Sequence, residues 1–108
     1  MGRAFFKVRV IEIEFPNHTL CLGELQRITS GWVVKTELKT FEGQTGMYEA
    51  FTLASETTGT VEGFKDGETE LWNVVEVFED ENKAIQVGKD YNQLYIYQIE
   101  TSTFKWLD

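Results

Sequence analysis

The sequence predicts an α+β fold, in which an antiparallel sheet packs against one or two short helices. Three observations predict it: several segments are rich in alternating apolar residues, their early connections are too short for parallel crossovers, and two other segments have helical spacing. The predicted element order is βββαββαβ, with room for one more strand at the end. At 108 residues and 42% hydrophobic content, residues 1–108 are predicted to form a single domain.

The first three segments predict an antiparallel β-meander. The first is FFKVRVIEIEF, residues 5–15, whose apolar residues change face near Val10. A β-bulge, or a strand covered on both sides, would explain that change. Pro16, Asn17 and His18 favour a turn before the second strand, TLCLGEL. The third strand is predicted in GWVVKTELKT.

A short helix is predicted over residues 46–56. Its apolar residues recur at i, i+3, i+4 and i+7, namely Met47, Ala50, Phe51 and Ala54. Gly59 is expected to end the helix. The alternative for this segment is an edge strand that buries Phe51 and Leu53.

A hairpin is predicted next, because Asp66 and Gly67 form a strong two-residue turn signal. TVEGF should therefore pair with ETELWNVVEVF. Asp80 is placed to cap a second helix over ENKAIQVGKDY, with a buried stripe of Ala84, Ile85, Gly88 and Tyr91. LYIYQIE then predicts a central strand, and STFKWL an additional edge strand.

Composition indicates a cytoplasmic protein without disulfides. The chain has one cysteine, lacks the apolar segment of a signal peptide at its start, and contains no apolar run near the ~20 residues that a membrane helix requires. Its net charge of −8 argues against direct binding of nucleic acid or of an anionic membrane.

The sequence indicates no cofactor and no catalytic constellation. His18 and Cys21 are the only residues of their types, so neither a nucleophile triad nor a four-ligand zinc site is expected. Two Glu-x-Lys fragments, Glu81 with Lys83 and Glu37 with Lys39, match part of a magnesium nuclease motif. The match is short, and a carboxylate–metal enzyme is therefore the weakest of the functional hypotheses.

The acidic residues suggest either a binding surface or, as the ordinary alternative, a solvated strand face with carboxylates that complement the helix dipole. Residues 1–40 contain six bases and four acids, whereas residues 41–108 contain four bases and fourteen acids. Two acids in the second half, Glu68 and Glu70, are predicted to share one strand face at a spacing of ~6.8 Å, about two steps of a DNA strand. The predicted partner-binding residues are Glu68, Glu70, Glu76, Glu79, Asp80 and Glu81.

The resulting expectation is a small noncatalytic protein that docks on a basic protein surface, for example as an inhibitor that imitates nucleic acid. The alternative is a structural or assembly protein that forms homo-oligomers. Its contacts would be apolar surface such as Trp72, Trp106, or the strand with Tyr95 and Tyr97.

Overall fold

The structure is a computed structural model that describes residues 4–15 and 18–107, with side chains described for residues 4–7 and 27–107. The predicted α+β fold class and the predicted order of its main elements are confirmed. The elements are β1 (Ala4–Phe15), β2 (His18–Arg27), β3 (Trp32–Lys35), β4 (Phe41–Glu42), α1 (Gly43–Glu56), β5 (Thr60–Asp66), β6 (Thr69–Phe78), α2 (Glu81–Asp90), β7 (Tyr95–Gln98) and β8 (Thr103–Trp106).

One antiparallel sheet contains all of the described strands. Its order is β2-β1-β5-β6-β3-β7-β8, and the two-residue β4 pairs with β6 beside this path. The structure differs from the predicted meander in one respect: β3 does not lie next to β2 but between β6 and β7. Val33 and Val34 point to opposite faces of β3 and are both buried, which requires a strand with cover on both sides.

β1 and β2 form a long hairpin. Its register runs without interruption from the pair of Phe6 and Arg27 to the pair of Phe15 and His18, so this pairing contains no bulge. His18 is therefore the first residue of β2 and not a turn residue as predicted. The predicted turn residues Pro16 and Asn17, and the side chains on which the change of face near Val10 depends, lie outside the described residues.

The helix predicted over residues 46–56 is confirmed, and the edge-strand alternative is wrong. α1 begins three residues earlier than predicted, at Gly43, and ends at Glu56, before Gly59. It buries Ala50, Phe51 and Ala54 against Val61 of β5 and Val74 of β6. These contacts bury the helical stripe that the sequence pattern indicates.

α2 is also confirmed, and Asp80 caps it by accepting a hydrogen bond from the Asn82 backbone N–H at 3.1 Å. Ala84 and Gly88 are buried as predicted, but Tyr91 follows the helix and is 46% exposed. Neither helix in residues 4–15 and 18–107 combines the length and apolar character needed to cross a membrane.

Both helices cover the same face of the sheet. Val34, which contacts α2 through Ala84, lies opposite Glu76 in the β3–β6 pairing. Glu76 is two residues after Val74, which contacts α1, and residues two apart on a strand point the same way. In the described part of the chain no helix covers the opposite face, which we call the helix-free face.

The sheet curves strongly toward its helix-free face. Phe5 of β1 and Tyr97 of β7 are four strand positions apart, which is roughly 19 Å in a flat sheet at ~4.8 Å per strand. Their rings nevertheless stack with centroids 5.6 Å apart. The curvature therefore makes this face concave and lets Phe5, Val33, Val75 and Tyr97 form a second core inside it.

Candidate functional site

The first two predicted binding acids lie at the tip of the β5–β6 hairpin. Glu68 is exposed in the turn with Gly67, between the paired residues Asp66 and Thr69. Gly67 has φ +64°, which suits this tight turn. The prediction that Glu68 and Glu70 share a strand face is therefore wrong, because only Glu70 belongs to β6. We call this pair the turn acids.

The other four lie where β6 leads into α2, and we call them the corner acids: Glu76, Glu79, Asp80 and Glu81. Glu76 is partly buried on β6, whereas Glu79 and Asp80 are exposed in the connection. Two of the four already have partners within the chain. Asp80 caps α2, and Glu81 forms an ion pair with Lys105 of β8.

The six acids do not form one continuous row. Glu76 is six positions after Glu70 along β6, which corresponds to roughly 20 Å at ~3.3 Å per residue. Within residues 27–107, only Glu81 of the six lies within 4.0 Å of a cationic group. The structure therefore presents two separate acidic groups, one at each end of β6.

A second exposed surface lies on β7 and β8. Tyr95 contacts Phe104 and Trp106 edge-to-face, with ring centroids 4.8 Å and 5.5 Å apart, and Tyr97 contacts Phe104 at 4.9 Å. Because Tyr97 belongs to the concave core, these rings extend that core outward to the last strand. We call Tyr95, Phe104 and Trp106 the aromatic edge.

The backbone of β8 is exposed along with these rings. β8 is the terminal strand of the sheet, and all four of its residues are exposed. Its described pairing is with β7 alone, from Tyr95 opposite Trp106 to Gln98 opposite Thr103. The outer N–H and C=O groups of such an edge are suited to pairing with another strand.

A buried polar network lies on the helix-free face, and the sequence analysis missed it. Asn73 donates a hydrogen bond from Nδ2 to Glu62 Oε1 at 2.9 Å, and its Oδ1 accepts one from the Thr40 hydroxyl at 2.9 Å. Lys35 Nζ donates to that hydroxyl, also at 2.9 Å. Glu62 is 4% exposed and Asn73 is 6% exposed, so the network carries a charge into the interior.

Burial lowers the pKa of the Lys35 ammonium below its usual value of 10.5, and the nearby Glu62 carboxylate offsets part of that effect. The cavity beside the network has a volume of about 30 Å³, lined in part by Val33, Gln93 and Tyr95. A space of that size accommodates a water molecule but not an organic substrate. We therefore interpret the network as structural: it links the end of β3, at Lys35, to β5 and β6.

The described side chains do not support the magnesium hypothesis. Within residues 4–7 and 27–107, no three His, Cys, Asp or Glu side chains converge as metal ligands would. Glu37 and Lys39 lie in the loop after β3, whereas a strand was predicted there. Lys39 is 3.7 Å from Glu49 of α1. The side chains of His18 and Cys21 lie outside the described part.

Comparison with known proteins finds no relative of this chain. The chain matches no protein-family model, no curated protein and no solved structure.

Proposed function

We propose that this protein is a binding and assembly protein, and that it associates with a second copy of itself through the aromatic edge. The observation that supports this most directly is the coincidence of exposed rings with an open strand on β8. Terminal strands of this kind pair readily with other strands unless charge, proline or a covering element protects them.

The exposed apolar side chains are concentrated at this end of the sheet. Five large hydrophobic side chains are exposed in the part of the chain whose side chains are described. Four belong to β8 or to the segment before β7, namely Tyr91 46%, Leu94 71%, Phe104 40% and Trp106 68%. The fifth, Leu38, lies apart from them in the loop after β3. Exposed aromatic side chains such as Phe104 and Trp106 are enriched at protein interfaces.

A second copy is a suitable partner on grounds of both pairing and charge. A two-fold axis at Lys105 would set Phe104 of one copy opposite Trp106 of the other, which creates two aromatic cross-strand pairs. The axis also brings two Lys105 side chains together. Glu81 of the same chain already pairs with Lys105, and this reduces the repulsion between the two copies.

Substituting Trp106→Ser is expected to weaken self-association by roughly 30-fold, because an aromatic residue at the centre of an interface typically contributes about 2 kcal/mol. The dissociation constant is measured by light scattering and sedimentation over a concentration series. Leu38→Ser is the matched control, since it removes an equally exposed apolar side chain elsewhere. A chain that remains monomeric at high concentration, or an unchanged constant in Trp106→Ser, would contradict the proposal.

A second candidate function is docking of the acidic groups on a basic protein surface, for example that of a nucleic-acid-binding protein. It is supported by the exposure of both turn acids and by their lack of ion pairs in the described part of the chain. Exposed charges of one sign accelerate association with an oppositely charged partner, and salt weakens this effect.

The double substitution Glu68→Lys and Glu70→Lys is expected to reduce capture of a basic partner at low salt at least about 10-fold, since it reverses the local charge. Capture is compared at low and high salt, with duplex DNA as competitor. A double substitution of equal charge change, Glu42→Lys with Glu56→Lys, is the control. Partners that resist salt and DNA, or that bind both variants equally, would exclude the turn acids as the docking surface.

A further inference from the structure

We propose that a groove over Gly63 binds a free aromatic amino acid, with the ring in the groove and the zwitterionic head group at its rim. The groove lies on the helix-covered face, at the hairpin-tip end of the sheet. Its volume is about 320 Å³, within the range of small-molecule sites. Its lining residues are Ala4, Phe6, Gly63, Phe64, Lys65, Glu70 and Trp72.

The absence of a side chain at Gly63 makes room for the Trp72 indole, which forms one wall of the groove. A Cβ at this position would lie 2.6 Å from Cζ3 of Trp72 and 3.0 Å from two further atoms of the same ring. The indole therefore lies directly over the β5 backbone. Phe51 of α1 contacts this ring edge-to-face, at 5.5 Å between centroids and 86° between planes. The indole is thus fixed before any ligand arrives, and a flat ring can pack against it at little entropic cost.

The rim of the groove carries one charge of each sign. Lys65 and Glu70 lie directly opposite one another in the β5–β6 hairpin, and both are exposed. Their positions are two residues from Gly63 and Trp72, so their side chains leave the sheet on the same face as the groove. Neither has an ion-pair partner within 4.0 Å in residues 27–107.

An apolar groove with one positive and one negative side chain at its rim suits a ligand that has both a ring and a zwitterionic head group. A free amino acid presents an ammonium and a carboxylate on one carbon atom, which complements Glu70 and Lys65 on adjacent strands. An aromatic side chain extending from that carbon would enter the apolar groove between Phe6 and Trp72. A ligand with a single charge would leave one rim residue without a partner, and a ligand without a ring would leave the groove empty.

The indole N–H of Trp72 provides a direct reporter. Among the described side chains, Trp72 Nε1 is the one buried polar atom that has no hydrogen-bond partner. Its NMR resonance is therefore sensitive to small changes around the ring. L-phenylalanine is expected to shift this resonance with a dissociation constant of about 1 mM or tighter.

Three analogues test the head group and the ring separately: 3-phenylpropanoate lacks the ammonium, 2-phenylethylamine lacks the carboxylate, and glycine lacks the ring. The first two are expected to bind roughly 10-fold more weakly, and glycine not at all. Equal binding of all ring-bearing ligands would overturn the proposed recognition of the zwitterion. An absence of any shift at about 10 mM L-phenylalanine would overturn the site itself.

Two substitutions locate the charges. Glu70→Gln should weaken L-phenylalanine and 2-phenylethylamine but leave 3-phenylpropanoate unchanged, because that analogue has no ammonium for Glu70 to bind. Lys65→Met should weaken L-phenylalanine and 3-phenylpropanoate but leave 2-phenylethylamine unchanged, because that analogue has no carboxylate for Lys65 to bind. Glu56→Gln removes an exposed carboxylate at the end of α1, outside the groove, and serves as the control. If both rim variants bind all ligands as the unsubstituted protein does, the assignment of Lys65 and Glu70 is wrong. These outcomes are independent of self-association through β8.

Discussion

Replacing Phe51 with alanine is expected to lower the free energy of unfolding by about 3–5 kcal/mol, the usual cost of removing a buried phenylalanine. Phe51 is 2% exposed and contacts the apolar side chains beneath α1. Loss of its ring removes transfer free energy and leaves a cavity between helix and sheet. Urea denaturation followed by circular dichroism measures the change.

Leu38→Ala is the control for this substitution. Leu38 is 89% exposed, so its truncation should change stability by no more than about 0.5 kcal/mol. A loss below about 1 kcal/mol in Phe51→Ala would show that α1 contributes little to the folded core. Because Phe51 also holds the Trp72 ring, the substitution should in addition broaden or shift the Trp72 indole resonance.

Phe51 also shows why part of the fold could be predicted from the sequence. It belongs to a stripe of four apolar residues with helical spacing, and such a stripe is informative because one face of α1 is buried and the other is not. The β5–β6 hairpin was predictable for a similar reason, since Asp66 and Gly67 mark a tight turn between two strands.

The position of β3 could not be predicted in the same way. Local pattern indicates a strand at Val33 and Val34 but does not specify its neighbours. Adjacent strands in the sequence often pair, yet β3 lies between β6 and β7, where both of its faces are covered. That choice depends on contacts with α2 and with Tyr97, which are distant in sequence.

The predicted binding acids show a second reason why sequence-based prediction can fail. Assigning Glu68 to the strand required the turn to end one residue earlier than it does. The register places Asp66 opposite Thr69, so the turn contains Gly67 and Glu68. A shift of one residue at a hairpin changes which side chains share a face, and the predicted row depended on that detail.

The same register reveals a signal that sequence analysis could have used. Glu62 and Asn73 each interrupt an apolar run, in TVEGF and in LWNVV, and the hairpin pairs them directly. Two polar residues opposite one another in otherwise buried strands indicate a hydrogen-bonded pair. The remaining partners are Lys35, the last residue of β3, and Thr40, from the loop after β3, and the sequence specifies neither the position of that strand nor the path of that loop.

Replacing Asn73 with leucine is expected to lower the free energy of unfolding by about 3 kcal/mol, although the two side chains are similar in size. The substitution removes the Nδ2 donor from the buried Glu62 carboxylate, and it removes the acceptor used by Thr40. A buried charge that loses a hydrogen bond retains its desolvation cost without the compensating interaction. Chemical denaturation measures the effect.

A double-mutant cycle separates this cause from a packing defect. Glu62→Met in the Asn73→Leu background replaces the buried charge by an apolar side chain, and it should recover at least about 2 kcal/mol of the loss. If the two substitutions are instead additive, the cost of Asn73→Leu comes from altered packing between β5 and β6. Recovery would show that the cost of Asn73→Leu arises from the Glu62 carboxylate opposite it, so that the two side chains act as one energetically coupled pair in the sheet.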